Sequence, residues 1–314
     1  MDLKGKKILL TGGAGFLGKA VMKKLLERGV KEGDVLIPRS KIHDLRKKEA
    51  CEEVVKNKDI VIHVAGAVGG LGFVKNNPAT AFYDNASMSL HLIDAAYRAG
   101  VKKFVGIGSV CEYPNITPLP FSEDNLWNGY PAEDLAAYGI AKRMMLAQSL
   151  AYRKQYGFNA IHLLMINLFG SGDGNFDKEN SHVISAIIRK VAEAKKTGKD
   201  FIELWGAGKA SREFLYVDDA AKGIVLATER YDKPEPVNIG SGREVPIKEL
   251  AETISRLMDF KGELRWDATK PEGQPRRQLD VTRAKREFGF EAKTSFEEGL
   301  RNTIEWYLEY ESGK

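Results

Sequence analysis

The chain has 314 residues, 43% of them hydrophobic, with 48 basic and 43 acidic side chains and a formal charge of +5. This length and composition predict a globular protein with one large domain and a smaller one attached. Neither sign of charge forms a long block, which argues against nucleic-acid binding, whereas a modest basic excess suits an anionic small ligand.

Composition also disfavours membrane, disulfide-rich and metal-binding classes. No stretch reaches the roughly 20 apolar residues that span a bilayer, and the first apolar run leads into glycines instead of a signal-peptide cleavage site. The two cysteines, Cys51 and Cys111, are too few for a disulfide framework, and the five histidines are scattered without metal-ligand spacing. We therefore expect a cytoplasmic protein without a metal site.

Apolar runs alternate with amphipathic segments through the first half of the chain. Strands are predicted in "KKILLTG", "DVLIP", "DIVIHVAG" and "KKFVGIGSV", and "FNAIHLLMINLFG" is predicted as one further buried strand. Helices are predicted in "FLGKAVMKKLLERG", "YDNASMSLHLIDAAYRAG" and "AAYGIAKRMMLAQSLAYRKQYG". This alternation indicates an α/β fold with a Rossmann-type, doubly wound parallel sheet and crossover helices.

The pattern loosens after about residue 170. It predicts a helix in "SHVISAIIRKVAEAKKTG", short strands in "FIELWG" and "EPVNIG", a helix from about Ile247 and a final helix in "SFEEGLRNTIEWYLEY". We therefore predict a dinucleotide-binding domain over residues 1–170, to which a segment of about 211–240 returns. Residues 171–314 mainly form a smaller α/β substrate domain.

Three glycines form a G-x-x-G-x-x-G pattern between the first predicted strand and the first predicted helix: Gly12, Gly15 and Gly18. Glycines let the backbone turn tightly and approach a diphosphate, whose charge is favoured at a helix N-terminus. An ordinary tight turn is the alternative interpretation. The position of the glycines, with a strand before them and a helix after them, favours a dinucleotide cofactor.

The residues after the second predicted strand distinguish between the two nicotinamide cofactors. A site that prefers NAD usually offers an acidic residue there for the ribose 2′-hydroxyl. This chain has Arg39, Ser40 and Lys41 instead, which favours NADP. The alternative is that Arg39 is a solvated loop charge.

Two pairs of residues point to carbonyl chemistry. Tyr138 and Lys142 lie four residues apart, on one face of a predicted helix. Ser109 and Cys111 lie two residues apart at the end of a predicted strand and point to the same side. A phenol has a pKa of about 10, and a neighbouring cation favours its ionised form. Each pair also arises by chance, and a single cysteine is more often a buried structural residue.

Taken together, these motifs resemble the extended short-chain dehydrogenase/reductase family. The resemblance covers nearly the full length and rests on "TGGAGFLG", "HVAGAVGG", "GSVCEYP", Tyr138 with Lys142, "NLFG", "NSHVISAIIRK", "WGAGKASREFLYVDDAA" and "KPEGQPRRQLD". It is strongest to the group that converts GDP-4-keto-6-deoxy-D-mannose to GDP-L-fucose with NADPH, by 3,5-epimerisation and 4-reduction. One departure is Ala67, which stands where relatives often have lysine.

The resemblance implies a role for individual residues. It implies Ser109, Tyr138 and Lys142 as reductase residues, and Cys111 and His182 as the acid and base of epimerisation. It further implies a homodimer formed through the helix that carries Tyr138. The GDP-sugar is expected along Asn167, His182, Lys190, Trp205 and Arg212. The expected cofactor-binding residues are Gly12, Gly15, Phe16, Leu17, Gly18, Arg39, Asp44, Leu45, Ala65, Tyr138 and Lys142.

Structural interpretations of several of these side chains stay open. They are helix caps, core residues, ion-pair partners or solvated charges. The alternatives are Ser181 or His182 as a helix cap, Trp205 as a core residue, Arg212 as a partner of Glu213 or Asp218, and Arg276 and Arg277 as solvated charges instead of nucleotide ligands.

The activity also has alternatives. One is a related NAD(P)-dependent sugar-nucleotide 4-epimerase or 4-ketoreductase that acts on another nucleotide sugar, for example a GDP-4-keto-heptose, and needs only one of Cys111 and His182 or neither. The other is a dinucleotide-sensing scaffold protein without catalysis.

Overall fold

A computed structural model describes residues 1–69, 71–173, 176, 181–270 and 275–312. The strands are β1 Ile8–Thr11, β2 Val35–Leu36, β3 Ile60–His63, β4 Lys103–Ser109, β5 Ala160–Met165, β6 Asn167–Phe169, β7 Phe201–Trp205, β8 Ser211–Tyr216, β9 Val237–Ile239, β10 Glu244–Pro246 and β11 Glu263–Asp267. The helices are α1 Phe16–Glu27, α2 Lys48–Val54, α3 Leu71–Asn76, α4 Pro78–Arg98, α5 Glu133–Tyr156, α6 Val183–Thr197, α7 Val217–Arg230, α8 Ile247–Leu257, α9 Thr282–Phe288 and α10 Phe296–Ser312. Asn180 and residues 271–274 of the predicted nucleotide-contacting loop lie outside the described residues.

The main sheet has six strands in the order β2-β1-β3-β4-β5-β9, and every neighbouring pair is parallel. The central strands are buried along their length, which explains their continuous apolar runs. The chain moves from β1 to one side for β2 and to the other side for β3. This reversal creates a crevice at the carboxyl ends of β1 and β3, where open α/β sheets bind ligands. The Rossmann-type fold class is thereby confirmed.

The prediction of one strand over "FNAIHLLMINLFG" is wrong. This segment forms β5 in the main sheet and β6 in a separate sheet of order β10-β8-β6. The break falls at Ile166, whose N–H donates to the Ile239 carbonyl at 3.3 Å. Both strands are apolar, so hydrophobic periodicity gave no sign of the point where the chain leaves one sheet for the other.

Helix α7 and strand β9 connect the later part of the chain to the main sheet. β9 pairs with β5, and α7 packs against α1. The buried Lys103 side chain on β4 holds the end of α7, because its Nζ donates to the carbonyls of Ala227, Thr228 and Tyr231 at 3.1, 2.7 and 2.6 Å. A lysine there provides a donor at a helix end, where carbonyls lack partners within the helix.

Helices α6, α8 and α10 pack around a second hydrophobic core beside the small sheets. That core is separate from the one between the main sheet, α1 and α7. Among the helices in the described ranges, none combines the length and apolar character needed to cross a membrane. We retain the division into two domains near residue 170 as a proposal.

Candidate active site

A cavity of about 1100 Å³ opens at the carboxyl ends of the main-sheet strands. Its lining includes Gly12 after β1, Ala65 after β3, Ser109 at the end of β4 and Asn167 after β5. Parallel strands bring these sequence-distant residues to one edge of the sheet. We call this space the central cavity.

The glycine turn between β1 and α1 forms one end of the central cavity. Gly12 has φ +69°, and a Cβ on it would lie 2.7 Å from the Ala65 nitrogen. A Cβ on Gly18 would lie 2.1 Å from the Gly12 carbonyl oxygen. Helix α1 starts at Phe16 without a side-chain cap, so its first N–H groups are available to an anion. These residues fit a dinucleotide diphosphate.

A polar and basic segment continues the lining from the glycine turn. Arg39, Ser40 and Lys41 lie on the cavity wall. Asp44 also lines it, and Arg46 donates to both oxygens of its carboxylate at 2.9 Å. These hydrogen bonds lower the pKa of Asp44 to about 2. The carboxylate is therefore ionised and accompanied by a cation at neutral pH.

Tyr138 projects from α5 into the central cavity near Ser109. Burial raises the pKa of Tyr138 above its usual value, and the nearby Cys111 and Glu112 add to that effect, while a hydrogen bond with Ser109 lowers it. The phenol is therefore protonated at neutral pH and can donate its hydrogen to an oxygen. The expectation that a neighbouring cation moves it toward phenolate is wrong for this structure, because burial outweighs the hydrogen bond with Ser109, which is the effect that lowers the pKa.

Lys142 lies one helical turn beyond Tyr138 on α5. Its Nζ donates to the Ile107 carbonyl at 2.9 Å. Burial lowers the pKa of Lys142 to about 8, and the charge of Glu112 opposes that change. The ammonium is thus held at the cavity wall but loses its proton more readily than an exposed lysine.

Cys111 and His182 line the central cavity from two different elements. Cys111 lies in the short helical turn Val110–Glu112 after β4, and its N–H donates to Ser109 Oγ at 3.2 Å. His182 is exposed and occupies the N-cap position of α6 without a side-chain capping hydrogen bond. The alternative of Ser181 as the cap is therefore wrong. Cys111 is partly exposed, so it is not a buried structural thiol.

The predicted sugar-nucleotide residues fall into two groups. Asn167 and Arg212 line the central cavity, and Asn167 Nδ2 donates to the Glu213 carbonyl at 2.9 Å. Lys190 and Trp205 are not among its described lining residues. Lys190 donates to the Glu203 carbonyl at 2.6 Å. Trp205 is 65% exposed, which rules out the alternative that it fills the core.

The arginines with structural alternatives make protein contacts in this structure. Arg212 donates to the Ser211 carbonyl at 2.7 Å. Arg276 donates to both oxygens of Glu244, with Nε at 3.0 and 3.1 Å. Arg277 is buried, so the alternative of a solvated charge is wrong for it.

Sequence reasoning missed two polar pairs at the central cavity. Ser185 Oγ donates to Asp173 Oδ2 at 2.8 Å, and both residues are buried cavity-lining residues. Thr11 Oγ1 lies 2.8 Å from His63 Nδ1, directly behind the lining. The signals were present, because a serine inside "VISAII" and a histidine at the end of "DIVIHV" are polar positions in apolar runs.

Comparisons with known proteins show the family to which the chain belongs. Residues 8–240 match the NAD dependent epimerase/dehydratase family. The chain is 38% identical over 309 residues to GDP-L-fucose synthase 1 of Arabidopsis thaliana, covering 98% of this chain and 95% of the relative. These matches confirm the family. Because it is a family of NAD(P)-dependent enzymes, they contradict the alternative of a scaffold protein without catalysis.

Two solved structures share the whole fold. A GDP-6-OMe-4-keto-L-xylo-heptose reductase from C. jejuni is 26% identical, with a TM-score of 0.90 and coverage of 99% of both chains. A GDP-L-fucose synthetase from Naegleria fowleri, solved bound to NADP, is 29% identical, with a TM-score of 0.86 and coverage of 98% of this chain and 96% of that one. The chain belongs to the NAD-dependent epimerase/dehydratase family, as an NAD(P)-dependent GDP-sugar epimerase/reductase of the GDP-L-fucose synthase group.

Proposed function

We propose that the chain converts GDP-4-keto-6-deoxy-D-mannose to GDP-L-fucose by 3,5-epimerisation and NADPH-dependent reduction at C4. The observation that carries the proposal is that one cavity is lined by two sets of residues. Ser109, Tyr138 and Lys142 suit carbonyl reduction, and Cys111 and His182 suit proton exchange beside the same carbonyl.

Epimerisation requires stabilisation of an enolate oxygen. The C4 ketone acidifies the protons on C3 and C5, because the electron pair left at either carbon delocalises onto the C4 oxygen. Ser109 and Tyr138 donate hydrogen bonds to that oxygen, since both carry hydroxyl groups in the central cavity. Their dipoles are fixed before the negative charge develops, which lowers the barrier to proton removal.

Inversion requires a base on one ring face and an acid on the other. Thiol and imidazole groups have reference pKa values of about 8.5 and about 6.5, so both exchange protons near neutral pH. One of Cys111 and His182 takes the ring proton, and the other returns a proton to the opposite face. His182 is exposed, so its proton equilibrates with solvent.

Reduction uses the same oxygen site. The glycine turn would hold the cofactor diphosphate, and the cofactor, when bound, would supply the hydride for C4. Tyr138 gives its phenolic proton to the C4 oxygen, which its protonated state at neutral pH permits. Lys142 would help to hold the cofactor ribose, and its Nζ lies 5.9 Å from the centre of the Tyr138 ring, close enough to stabilise the phenolate that remains. We propose NADP as the preferred cofactor because Arg39 and Lys41 line the cavity.

A second candidate is 4-reduction of a GDP-4-keto-heptose without epimerisation. The similarity to the GDP-6-OMe-4-keto-L-xylo-heptose reductase, with a TM-score of 0.90, favours this alternative. The two candidates differ in whether Cys111 and His182 exchange protons at C3 and C5.

A homodimer is proposed through α4 and α5. These helices pack against each other and present large exposed apolar side chains. The exposed residues are Phe82, Tyr83, Leu90 and Tyr156, at 40%, 63%, 48% and 46%. We further propose a cytoplasmic location, which the scarcity of cysteines supports. Light scattering after size exclusion measures the mass of the assembly, and a monomer at micromolar concentration would contradict the dimer.

The deciding experiment measures NADPH oxidation with GDP-4-keto-6-deoxy-D-mannose in deuterated water, with NMR of the product. NADPH loss with deuterium at C3 and C5 supports the bifunctional reaction, whereas oxidation without deuterium supports a plain 4-reductase. Cys111→Ala is expected to abolish exchange but retain reduction of a pre-epimerised ketone. Cys51→Ala is the matched control, because Cys51 is the other cysteine and is fully buried outside the cavity lining.

A further inference from the structure

A buried carboxylate–imidazole pair lies directly behind the central cavity. Glu112 and His162 are 0% and 1% exposed, and His162 Nε2 lies 3.1 and 3.0 Å from the two carboxylate oxygens. Because a carboxylate only accepts hydrogen bonds, Nε2 is the donor. Gly108 separates the pair from the cavity, and a Cβ on Gly108 would lie 2.3 Å from both Glu112 Oε1 and His162 Nε2.

The pair fixes the turn that carries Ser109 and Cys111. Glu112 Oε1 accepts the Ser109 N–H at 2.8 Å, and Ser109 Oγ accepts the Cys111 N–H at 3.2 Å. These two bonds form a reciprocal cap of the turn. His162 holds the carboxylate in place from the neighbouring strand β5.

Helix α5 holds the other end of the same turn. Arg143 Nε donates to the Glu112 carbonyl at 2.5 Å. A Cβ on Gly139 would lie 2.2 Å from the Cys111 carbonyl oxygen, so the helix touches the turn directly. Displacement of the turn would therefore move Ser109 and Cys111 relative to Tyr138, which lies on that helix.

The carboxylate also lies among other ionisable groups behind the cavity lining. The titratable groups around it are His162 on β5, Tyr138, Lys142 and Arg143 on α5, and Cys111 and Tyr113 on its own segment. The Glu112 charge opposes the loss of the Lys142 proton that burial promotes. A neutral residue at position 112 would leave Lys142 without that support.

We propose that Glu112, held by His162, is a positioning residue for this reaction: its carboxylate fixes Ser109 and Cys111 through the Ser109 N–H. The inference rests on the proposed function, because Ser109 and Cys111 act in it. If Glu112 only capped the turn, its replacement would lower the stability of the protein and would leave the activities and their pH dependence unchanged.

The test compares Glu112→Gln with Glu123→Gln. Glu123 is a matched control, because it is buried and its Oε1 accepts a backbone N–H, from Asn238 at 2.9 Å, but it is not a cavity-lining residue. In Glu112→Gln, we expect C3/C5 proton exchange and NADPH oxidation to fall together by about 10- to 100-fold, since small misplacements of reacting groups cost that much. We expect kcat/KM of the wild type to fall near pH 8 as Lys142 loses its proton, and we expect this fall to move to lower pH in Glu112→Gln.

A readout without substrate separates this inference from the proposed function. Hydrogen–deuterium exchange of the peptide that spans Ser109 to Cys111 is expected to be faster in Glu112→Gln and unchanged in Glu123→Gln. If the wild type turns over no ketone, the proposed function fails, and the exchange comparison alone decides whether Glu112 holds the turn. Unchanged exchange in folded Glu112→Gln overturns the inference.

A double variant guards against misfolding of the single one. Replacement of a buried pair by apolar residues of similar volume often preserves stability, whereas removal of one partner does not. The melting temperature of Glu112→Met/His162→Leu is therefore expected to be close to that of the wild type. Its two activities are expected to be reduced as in Glu112→Gln. The inference is overturned if either folded variant has the activities of the wild type and the same alkaline fall of kcat/KM.

Discussion

The Lys142 ammonium lies 5.9 Å from the centre of the Tyr138 ring and donates its hydrogen bond elsewhere, to the carbonyl of Ile107. The two side chains that first suggested carbonyl chemistry are therefore neighbours without a direct bond in this structure. Burial keeps the phenol protonated and makes the ammonium easier to deprotonate. At neutral pH only the lowered pKa of Lys142 opposes stability, because the phenol is protonated in the folded and the unfolded state alike; both shifts can serve catalysis.

Removal of the buried cation is expected to stabilise the protein and abolish reduction. The fall of the Lys142 pKa from 10.5 to about 8 corresponds to about 3 kcal/mol of stability. The folded state binds fewer protons than the unfolded state between these values, so the penalty is present below pH 8 and disappears as the pH rises toward 10.5.

Lys142→Met is thus expected to raise the free energy of unfolding by about 2–3 kcal/mol near neutral pH and by much less near pH 10. Urea unfolding at both pH values measures the difference. Lys142→Arg keeps a permanent charge and is expected to give no such gain. Equal stabilisation by both variants would contradict the electrostatic origin.

His63 is expected to make the fold sensitive to acid. Thr11 Oγ1 accepts the Ala65 N–H at 3.2 Å and shares a hydrogen bond of 2.8 Å with His63 Nδ1. Burial, with the charge of Lys142 adding to it, lowers the pKa of His63 to about 3. Because that value lies below the unfolded value of 6.5, stability is lost as the pH falls from 6.5 toward 3.

The lowered pKa of His63 reduces the free energy of unfolding by up to about 4 kcal/mol as the pH falls across that range. His63→Asn keeps a polar amide that can hydrogen-bond with Thr11 Oγ1 in either direction, and it cannot take up the proton. Its stability is expected to fall less steeply with acid than that of the wild type, measured by urea unfolding from pH 7 to pH 4. Parallel curves for the two proteins would exclude His63 as the cause.

Gly18→Ala is expected to reduce NADPH affinity by about 100-fold or more. The new Cβ would lie 2.1 Å from the Gly12 carbonyl oxygen, and backbone atoms cannot yield without opening the diphosphate turn. Fluorescence titration of NADPH measures the loss. Gly33→Ala is the control, because a Cβ there meets no atom within 4 Å. Affinity of Gly18→Ala within about threefold of the wild type would refute the tight turn as the binding site.

Arg39→Ala is expected to change cofactor choice. Arg39 lines the central cavity beyond the glycine turn, where a 2′-phosphate would find a cation. We expect KM for NADPH to rise by about tenfold or more while KM for NADH stays within about threefold. Lys56→Ala removes the same charge from an exposed residue outside the described cavity lining and should change neither value. A parallel rise for both cofactors would argue against recognition of the 2′-phosphate.

Local patterns predicted the parts of the site that follow directly on a regular element. The glycines after β1, and Tyr138 and Lys142 at helical spacing, fall in the central cavity because turn geometry and helix periodicity are set by nearby residues. The resemblance to a family added His182, which lies far from the others in sequence.

Long-range packing explains what the sequence did not predict. The split of the apolar run at Ile166 depends on which strand each half pairs with, and those partners, β8 and β9, lie far along the chain. The importance of Glu112 depends on His162, fifty residues away. Such pairs are invisible to periodicity, because each residue alone looks like an ordinary polar position.

The pairing of β9 with β5 has a consequence for how the protein is made. At about 5–20 residues per second, translation needs several seconds to pass from β5 to β9. During that time β5 is an open edge of a very apolar sheet on the ribosome, and open edges invite aggregation. Shortened chains that stop before Val237 would keep this edge exposed, so we expect them to enter inclusion bodies or bind chaperones.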